Sequence, residues 1–157
     1  MAVTVAALCD GIATTLSAAT GIKTTKSYNE ITEGIPATEC PRLQVYPDGF
    51  DPDPGSGTDR NTMSAGIQLQ AITIFVDVFA RKRSHIHLDM AATVDTLDAI
   101  VDVLQAQERP PFFGVVATPA GSKPPIKSFR WTWKRTVLRY GDQRYMGGRF
   151  TIVLRIA

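Results

Sequence analysis

The run ITIFVDVF at residues 72–79 constrains this chain most, because it is apolar at almost every position. Apolar residues alternate with glutamines just before it, so we predict one long β-strand over 66–80. Only Thr73 and Asp77 interrupt the apolar run. A strand with two apolar faces needs a cover on each of them, since exposed apolar surface is unfavourable in water. One face must meet the core, and the other needs the chain's own helix or a neighbouring subunit.

The second face of this strand predicts contact between subunits. We expect Phe75, Val76 and Val78 to form part of a subunit interface. An aspartate in place of Val76 or Val78 should then block assembly more than it unfolds the monomer.

Two segments have the residue spacing of amphipathic helices. In the first, Thr4 is a predicted N-cap and Gly21 a predicted terminator, and the apolar stripe consists of Val5, Leu8, Ile12 and Leu16. The second helix is predicted over 85–105, and its stripe consists of Met90, Val94, Leu97, Val101 and Leu104. Each helix therefore has one apolar face that should pack on a sheet.

The remaining strands are predicted from shorter apolar or alternating segments. We expect short strands over 42–46, ended by Pro47, and over 112–118. Two longer strands, 128–140 and 149–156, form a closing antiparallel hairpin. With 157 residues the chain has the length of a single domain. This element order predicts an α+β fold, in which two main helices pack mainly on one face of an antiparallel sheet.

A loop rich in proline, glycine and aspartate is predicted over 47–65. Its nineteen residues include three prolines, three glycines and four aspartates, a composition that breaks regular structure. Phe50 and Met63 are its only large apolar side chains. The segment is either a disordered surface excursion or an arm that orders on a partner, with Phe50 and Met63 as its docking anchors.

Charge is divided unevenly along the chain. The first 107 residues hold seven basic and thirteen acidic residues, whereas the last fifty hold ten basic and two acidic residues. This pattern is typical of nucleic-acid contact, of docking between complementary protein surfaces, or of scattered solvated strand faces. Trp131 and Trp133 alternate with the cations of the closing hairpin, so we interpret them as core residues rather than as a platform for stacked bases.

The sequence does not indicate catalysis. It has no phosphate-binding loop, nucleophile elbow or cluster of metal ligands, so we predict that the protein is not an enzyme and uses no cofactor. Cys9 and Cys40 are expected to be reduced thiols in a protein made in the cytoplasm. No segment approaches the ~18 consecutive apolar residues that a membrane-spanning helix needs.

The order and content of the elements resemble those of the tail terminator, or tail-completion, proteins of long-tailed bacteriophages. The resemblance is carried by the alanine-rich first helix, the strand IQLQAITIFVDVFARK, the helix LDMAATVDTLDAIVDVL and a last strand ending in TIVLRIA. It extends from about Val3 to Ile156.

The resemblance implies a structural protein of the virion. Six copies would form a ring that caps the tail tube and provides the docking surface for the DNA-filled head. The implied partners are further copies of the chain, the tail tube protein and head-closure or connector proteins, with transient passage of double-stranded DNA. The implied location is the neck region of the tail, after synthesis in the host cytoplasm.

A sixfold ring would repeat each cation six times. Arg130, Lys134, Arg139 and Arg144 would then form circles of like charge, which are costly unless they face an acidic surface or DNA. We expect these residues to dock on an acidic partner ring. The alternatives are another neck or tail component, such as a head-closure or tail tube protein, and a basic nucleic-acid-binding module whose affinity would fall steeply with salt.

Overall fold

The computed structural model describes residues 3–30, 34–51, 70–82, 86–116 and 125–156. Within these ranges five strands form one sheet in the order β1-β2-β3-β5-β4. Two short 3₁₀ turns, Ala37–Glu39 and Phe112–Gly114, interrupt the connections. The main elements are α1 (Val5–Leu16), β1 (Thr24–Lys26), β2 (Arg42–Asp51), β3 (Gln70–Lys82), α2 (Ile86–Gln105), β4 (Ile126–Tyr140) and β5 (Gln143–Ile156).

The predicted α+β class is confirmed, and both helices pack against the sheet. The pairs β2·β3, β3·β5 and β4·β5 are antiparallel, as expected. The short strand β1 adds a parallel pair with β2, so the sheet is mixed. Helix α1 packs on β1 and β2, whereas α2 packs on β3 and β5.

The core lies between the helices and one face of the sheet. Leu8, Ile12 and Leu16 of α1 are fully buried there, as the helical spacing predicts. The Thr4 hydroxyl accepts a hydrogen bond from the Ala7 amide at 3.2 Å, which confirms Thr4 as the N-cap of α1. The helix ends at Leu16, before the predicted terminator Gly21. The sheet contributes β-branched and aromatic residues to this core, including Ile74, Val76 and Phe150.

Strand β2 is longer than predicted. We expected it to end at Pro47, but pairing with β3 continues to Asp51 across a register shift between Pro47 and Gly49. A bulge lets a proline sit in a strand, because the missing amide then removes no regular ladder bond. The first five residues of the predicted loop 47–65 therefore belong to β2, and the others lie outside the described residues.

The expected strand over 112–118 is wrong for its described part, 112–116. Phe112–Gly114 forms a 3₁₀ turn, in which Phe113 has a positive φ of 55°. The Phe113 amide donates a hydrogen bond to the Gln107 side-chain oxygen at 2.8 Å. Both phenylalanine rings pack against Phe129 of β4, with ring centroids 5.2 and 4.9 Å away. Apolar packing on β4 thus replaces strand pairing here.

Two of the three expected interface residues lie in the chain's own core. Val76 and Val78 are 0% and 2% exposed, and they belong to the apolar cluster beneath the helices. Neither side chain can reach a second subunit, and an aspartate at either position should unfold the monomer. Phe75 lies on the opposite face of the sheet, so it is the one residue of the three that is still predicted to contact a second subunit.

Both cysteines are free and buried. Burial, together with the neighbouring charge of Asp10, raises the pKa of the Cys9 thiol to about 11. Neither described helix is both long enough and apolar enough to cross a membrane.

Candidate functional site

The candidate site is the sheet face opposite the helices, which we call the open face. Within the described ranges no helix packs on it. The segment 34–41 covers one end, where Ile35 and Cys40 pack with residues that include Phe79 and Tyr145. The Tyr145 hydroxyl donates to the Ile35 carbonyl oxygen at 2.6 Å and fixes this cover. The remainder of the open face carries Tyr46, Phe75, Asp77, Arg130, Lys134, Arg149, Thr151, Val153 and Arg155.

Three polar side chains from three strands form a network in the middle of the open face. Arg149 donates to both carboxylate oxygens of Asp77, at 2.6 and 3.1 Å. The Tyr46 hydroxyl donates to Asp77 at 2.6 Å and accepts from Arg149 at 3.0 Å. The Arg149 guanidinium also lies 4.5 Å from the centroid of the Phe75 ring, within the range of a cation–π contact. The network therefore ties β2, β3 and β5 together.

Burial and charge perturb the proton equilibria of this network. Burial, the hydrogen bond to Asp77 and the negative charge of Asp77 raise the pKa of Tyr46, so the hydroxyl stays protonated and remains a donor. The hydrogen bond to Asp77 likewise raises the pKa of Arg149. Asp77 is 6% exposed and its charge is neutralised by Arg149. Tyr46 and Arg149 therefore both keep the protons that they donate to Asp77.

A groove of about 800 Å³ runs across the open face from β2 to β4. Aromatic rings, including those of Phe75 and Phe79, contribute to its lining, and Lys134 stands at its β4 side. Gln44 also lines the groove; it is 3% exposed, and its side-chain nitrogen has no hydrogen-bond partner in the described part of the chain. A buried donor without an acceptor is costly, and the acceptors that line the groove, such as Asp77, make no hydrogen bond to the Gln44 nitrogen.

The four predicted docking cations fall into two groups. Arg130 and Lys134 alternate onto the open face, and Lys134 lies directly opposite Arg149 in the β4·β5 register. Arg139 and Arg144 are register partners near the turn of the hairpin. The side chains of all four cations are exposed, as docking on a partner requires. Like charges therefore face each other at Lys134 and Arg149 and at Arg139 and Arg144, which is unfavourable unless an opposite charge is near, as Asp77 is for Arg149.

The tryptophans of β4 lie on the helix side of the sheet, as expected. Trp131 and Trp133 are half-buried and pack against Phe150, with ring centroids 5.8 and 6.4 Å away. They cannot stack on bases at the open face.

The two predicted anchors of the 47–65 segment have different outcomes. Phe50 is part of β2 and is 52% exposed. Met63 lies outside the described residues, so its role as an anchor stays a prediction.

The sequence alone did not predict the hydrogen-bonded network of Tyr46, Asp77 and Arg149. Asp77 and Arg149 are 72 positions apart, and only strand register brings them together. The one available signal was Asp77 itself, a carboxylate in an apolar strand, because a buried charge requires a partner. Among the described residues no group of three or more metal-ligating side chains occurs.

The sequence matches no protein-family model and no curated protein.

Proposed function

We propose that this chain is a structural subunit of a phage neck, a tail terminator that assembles into a ring on the end of the tail tube. Six copies would close the ring, which would cap the tail tube and provide the docking surface for the DNA-filled head. The observation that carries the proposal is the open face, which combines half-buried apolar side chains with exposed cations.

The composition of the open face supports assembly with protein partners. Phe75 and Val153 are half-buried and lie among polar side chains such as Thr151. Apolar side chains that a monomer leaves partly in water are typical of protein interfaces. A face that meets a different surface on the next copy generates a closed ring when the rotation between copies divides a full turn.

The hairpin turn supports docking on a second, acidic component. Arg139 and Arg144 face each other across β4 and β5 near Gly141. An acidic partner surface would relieve their repulsion and would also increase the rate of association. The head-closure protein and the tail tube protein are the expected partners.

The location of the chain in assembled particles tests the proposal. Electron microscopy of particles that carry a gold-labelled tag on this chain should show one band of label where the tail meets the head. Label along the whole tube, on the head, or absent from particles would overturn the terminator function.

Substitutions in the open face should separate assembly from folding. Val153→Asp should abolish incorporation into particles while thermal unfolding of the purified subunit shows a folded protein. Val116→Asp is the matched control, since Val116 is 67% exposed and does not line the open face. Equal incorporation of the two variants would contradict a role of the open face in assembly.

The exposed cations of the open face favour one second candidate, a nucleic-acid-binding module. Arg130, Lys134 and Arg155 would contact phosphates, without base stacking by the tryptophans. Such a module would bind double-stranded DNA with an affinity that falls steeply with salt concentration. A terminator subunit should show weak DNA binding that does not change when Arg130→Gln and Lys134→Gln are combined.

A further inference from the structure

We infer that the open face of one copy receives the outer surface of helix α2 from the next copy, with exposed aspartates of α2 meeting the cations of the open face. This inference rests on the proposed ring function, and it names the two surfaces that would form each subunit junction.

The outer surface of α2 is an acidic stripe. Asp95, Asp98 and Asp102 are all exposed, and spacings of three and four residues place them on one side of the helix. Val94 lies beside them and is 48% exposed, so the stripe also offers an apolar side chain. We call this surface, formed by Val94, Asp95, Asp98 and Asp102, the acidic stripe. Within the described residues no ion pair satisfies these carboxylates.

The open face has the opposite charge. Arg130, Lys134 and Arg155 form no ion pair in the described part of the chain, whereas Arg149 is neutralised by Asp77. Lys134 lines the groove, and Arg130 and Arg155 lie farther along the same face, so the uncompensated charge of the open face is positive. Complementary charges of this kind orient two protein surfaces and fix their register.

The two surfaces also match in size. Asp95 to Asp102 extends about 10 Å along α2 at a rise of about 1.5 Å per residue. Arg130 to Lys134 extends about 13 Å along β4 at about 3.3 Å per residue. The groove crosses four strands, or about 14 Å at about 4.8 Å between strands, which accommodates a helix about 10 Å in diameter. Several ion pairs can therefore form at once.

The unpartnered Gln44 nitrogen points to the same kind of occupant. A carboxylate that enters the groove would supply an acceptor for Gln44 and a counter-charge for Lys134. The half-buried Phe75 ring is available to contact an apolar side chain such as Val94. An acidic helix surface with one apolar residue supplies both groups.

The two surfaces lie on opposite sides of the molecule, because the sheet and its core separate them. A copy therefore cannot satisfy its own open face with its own acidic stripe. Contacts between copies must run head to tail, which is the arrangement that a ring requires.

Disulfide capture tests the junction directly. Val94→Cys places a thiol on the acidic stripe, and Thr132→Cys places one on the open face between Arg130 and Lys134, so every charge is retained. In the double variant, diamide as oxidant should produce covalent multimers larger than dimers that converge on one closed size. Each single variant can form at most a dimer, and the native cysteines are buried.

The matched control combines Val116→Cys with Thr132→Cys, since Val116 is exposed away from the acidic stripe. Multimers in the Val94 and Thr132 double variant, but not in this control, support the junction. If the double variant yields no more than the single variants, or if the control yields the same multimers, the inference is overturned.

Charge reversal gives an independent test in the same protein. Arg130→Glu with Lys134→Glu should weaken self-association at least about tenfold, since two cations of the open face then become anions that repel the aspartates of the acidic stripe. Asp95→Lys with Asp98→Lys should do the same. Mixing the two variant proteins should restore association, because each junction then joins opposite charges. Weakening without restoration by mixing would contradict pairing of these surfaces and would favour DNA or an acidic partner ring as the occupant.

The two proposals fail in different ways. Label at the neck of particles combined with no cross-linking would leave the terminator function standing and reject this junction. Cross-linking and restoration by mixing, with label found elsewhere in the particle, would support the junction and reject the terminator function.

Discussion

Arg149 determines whether the carboxylate of Asp77 can remain inside the sheet. The Asp77 side chain is 8% exposed and depends on Arg149 and Tyr46 for its hydrogen bonds. We expect Arg149→Met to lower the free energy of unfolding by about 1–3 kcal/mol, because it leaves a buried charge without a cation. The lower part of this range allows for the 37% exposure of Arg149. Urea unfolding followed by circular dichroism measures the effect.

Two further variants isolate the ion pair from other effects. Tyr46→Phe removes the two hydrogen bonds of the Tyr46 hydroxyl but keeps the ion pair, and it should cost about 1–2 kcal/mol. Arg155→Met is the matched control, since Arg155 lies on the same strand and face but is exposed. A control that costs as much as Arg149→Met would show that the ion pair adds nothing to stability.

Strand β5 approaches its neighbours closely at two consecutive glycines. A Cβ atom at Gly147 would meet the backbone carbonyl of Val78, and one at Gly148 would meet the indole of Trp133. A backbone atom cannot move aside as a half-buried side chain can. We therefore expect Gly147→Ala to cost about 2–4 kcal/mol and Gly148→Ala about 1 kcal/mol. Thermal and urea unfolding check the order.

Gly49→Ala in β2 is the control for these variants, because nothing lies within 4 Å of its added Cβ. It should leave stability nearly unchanged or raise it slightly. A Gly148→Ala variant should also shift the fluorescence of Trp133, whereas Gly49→Ala should not. Equal stability of Gly147→Ala and Gly49→Ala would contradict the close approach of β5 to β3.

The spacing of apolar residues predicted those elements whose type depends on their own sequence rather than on contacts with distant strands. The apolar spacing of α1 and α2 and the alternation in β4 gave the correct element types, but α1 ends at Leu16 rather than near Gly21, and Val94 of the predicted α2 stripe is 48% exposed. Contacts between distant segments determined the elements that were predicted wrongly. The extension of β2 past Pro47 depends on a bulge against β3, and Phe112–Gly114 is held by packing on β4 rather than by its own propensity.

The faces of β3 illustrate the same limit at the candidate site. Its apolar content showed that both faces need a cover, yet alternation cannot tell which face the helices take. The helices cover Val76 and Val78, and the other face keeps Phe75 with the Asp77 network. The charge division along the chain was visible in the sequence, but its distribution over opposite sides of the sheet required the fold.

For the molecule as a whole, the opposed charges on its two sides predict how assembly responds to salt. Attraction between the acidic stripe and the open face is screened over about 10 Å at 0.1 M salt and about 3 Å at 1 M. We expect self-association, measured by sedimentation velocity, to weaken progressively between 0.05 and 0.5 M sodium chloride. Lys134→Gln combined with Asp98→Asn should associate less at low salt and show a smaller salt dependence, because fewer charges remain to be screened. Association that strengthens with salt would indicate that apolar contacts dominate, since salts that are excluded from protein surfaces promote burial. In that case Phe75 and Val153, rather than the cations, would hold the copies together.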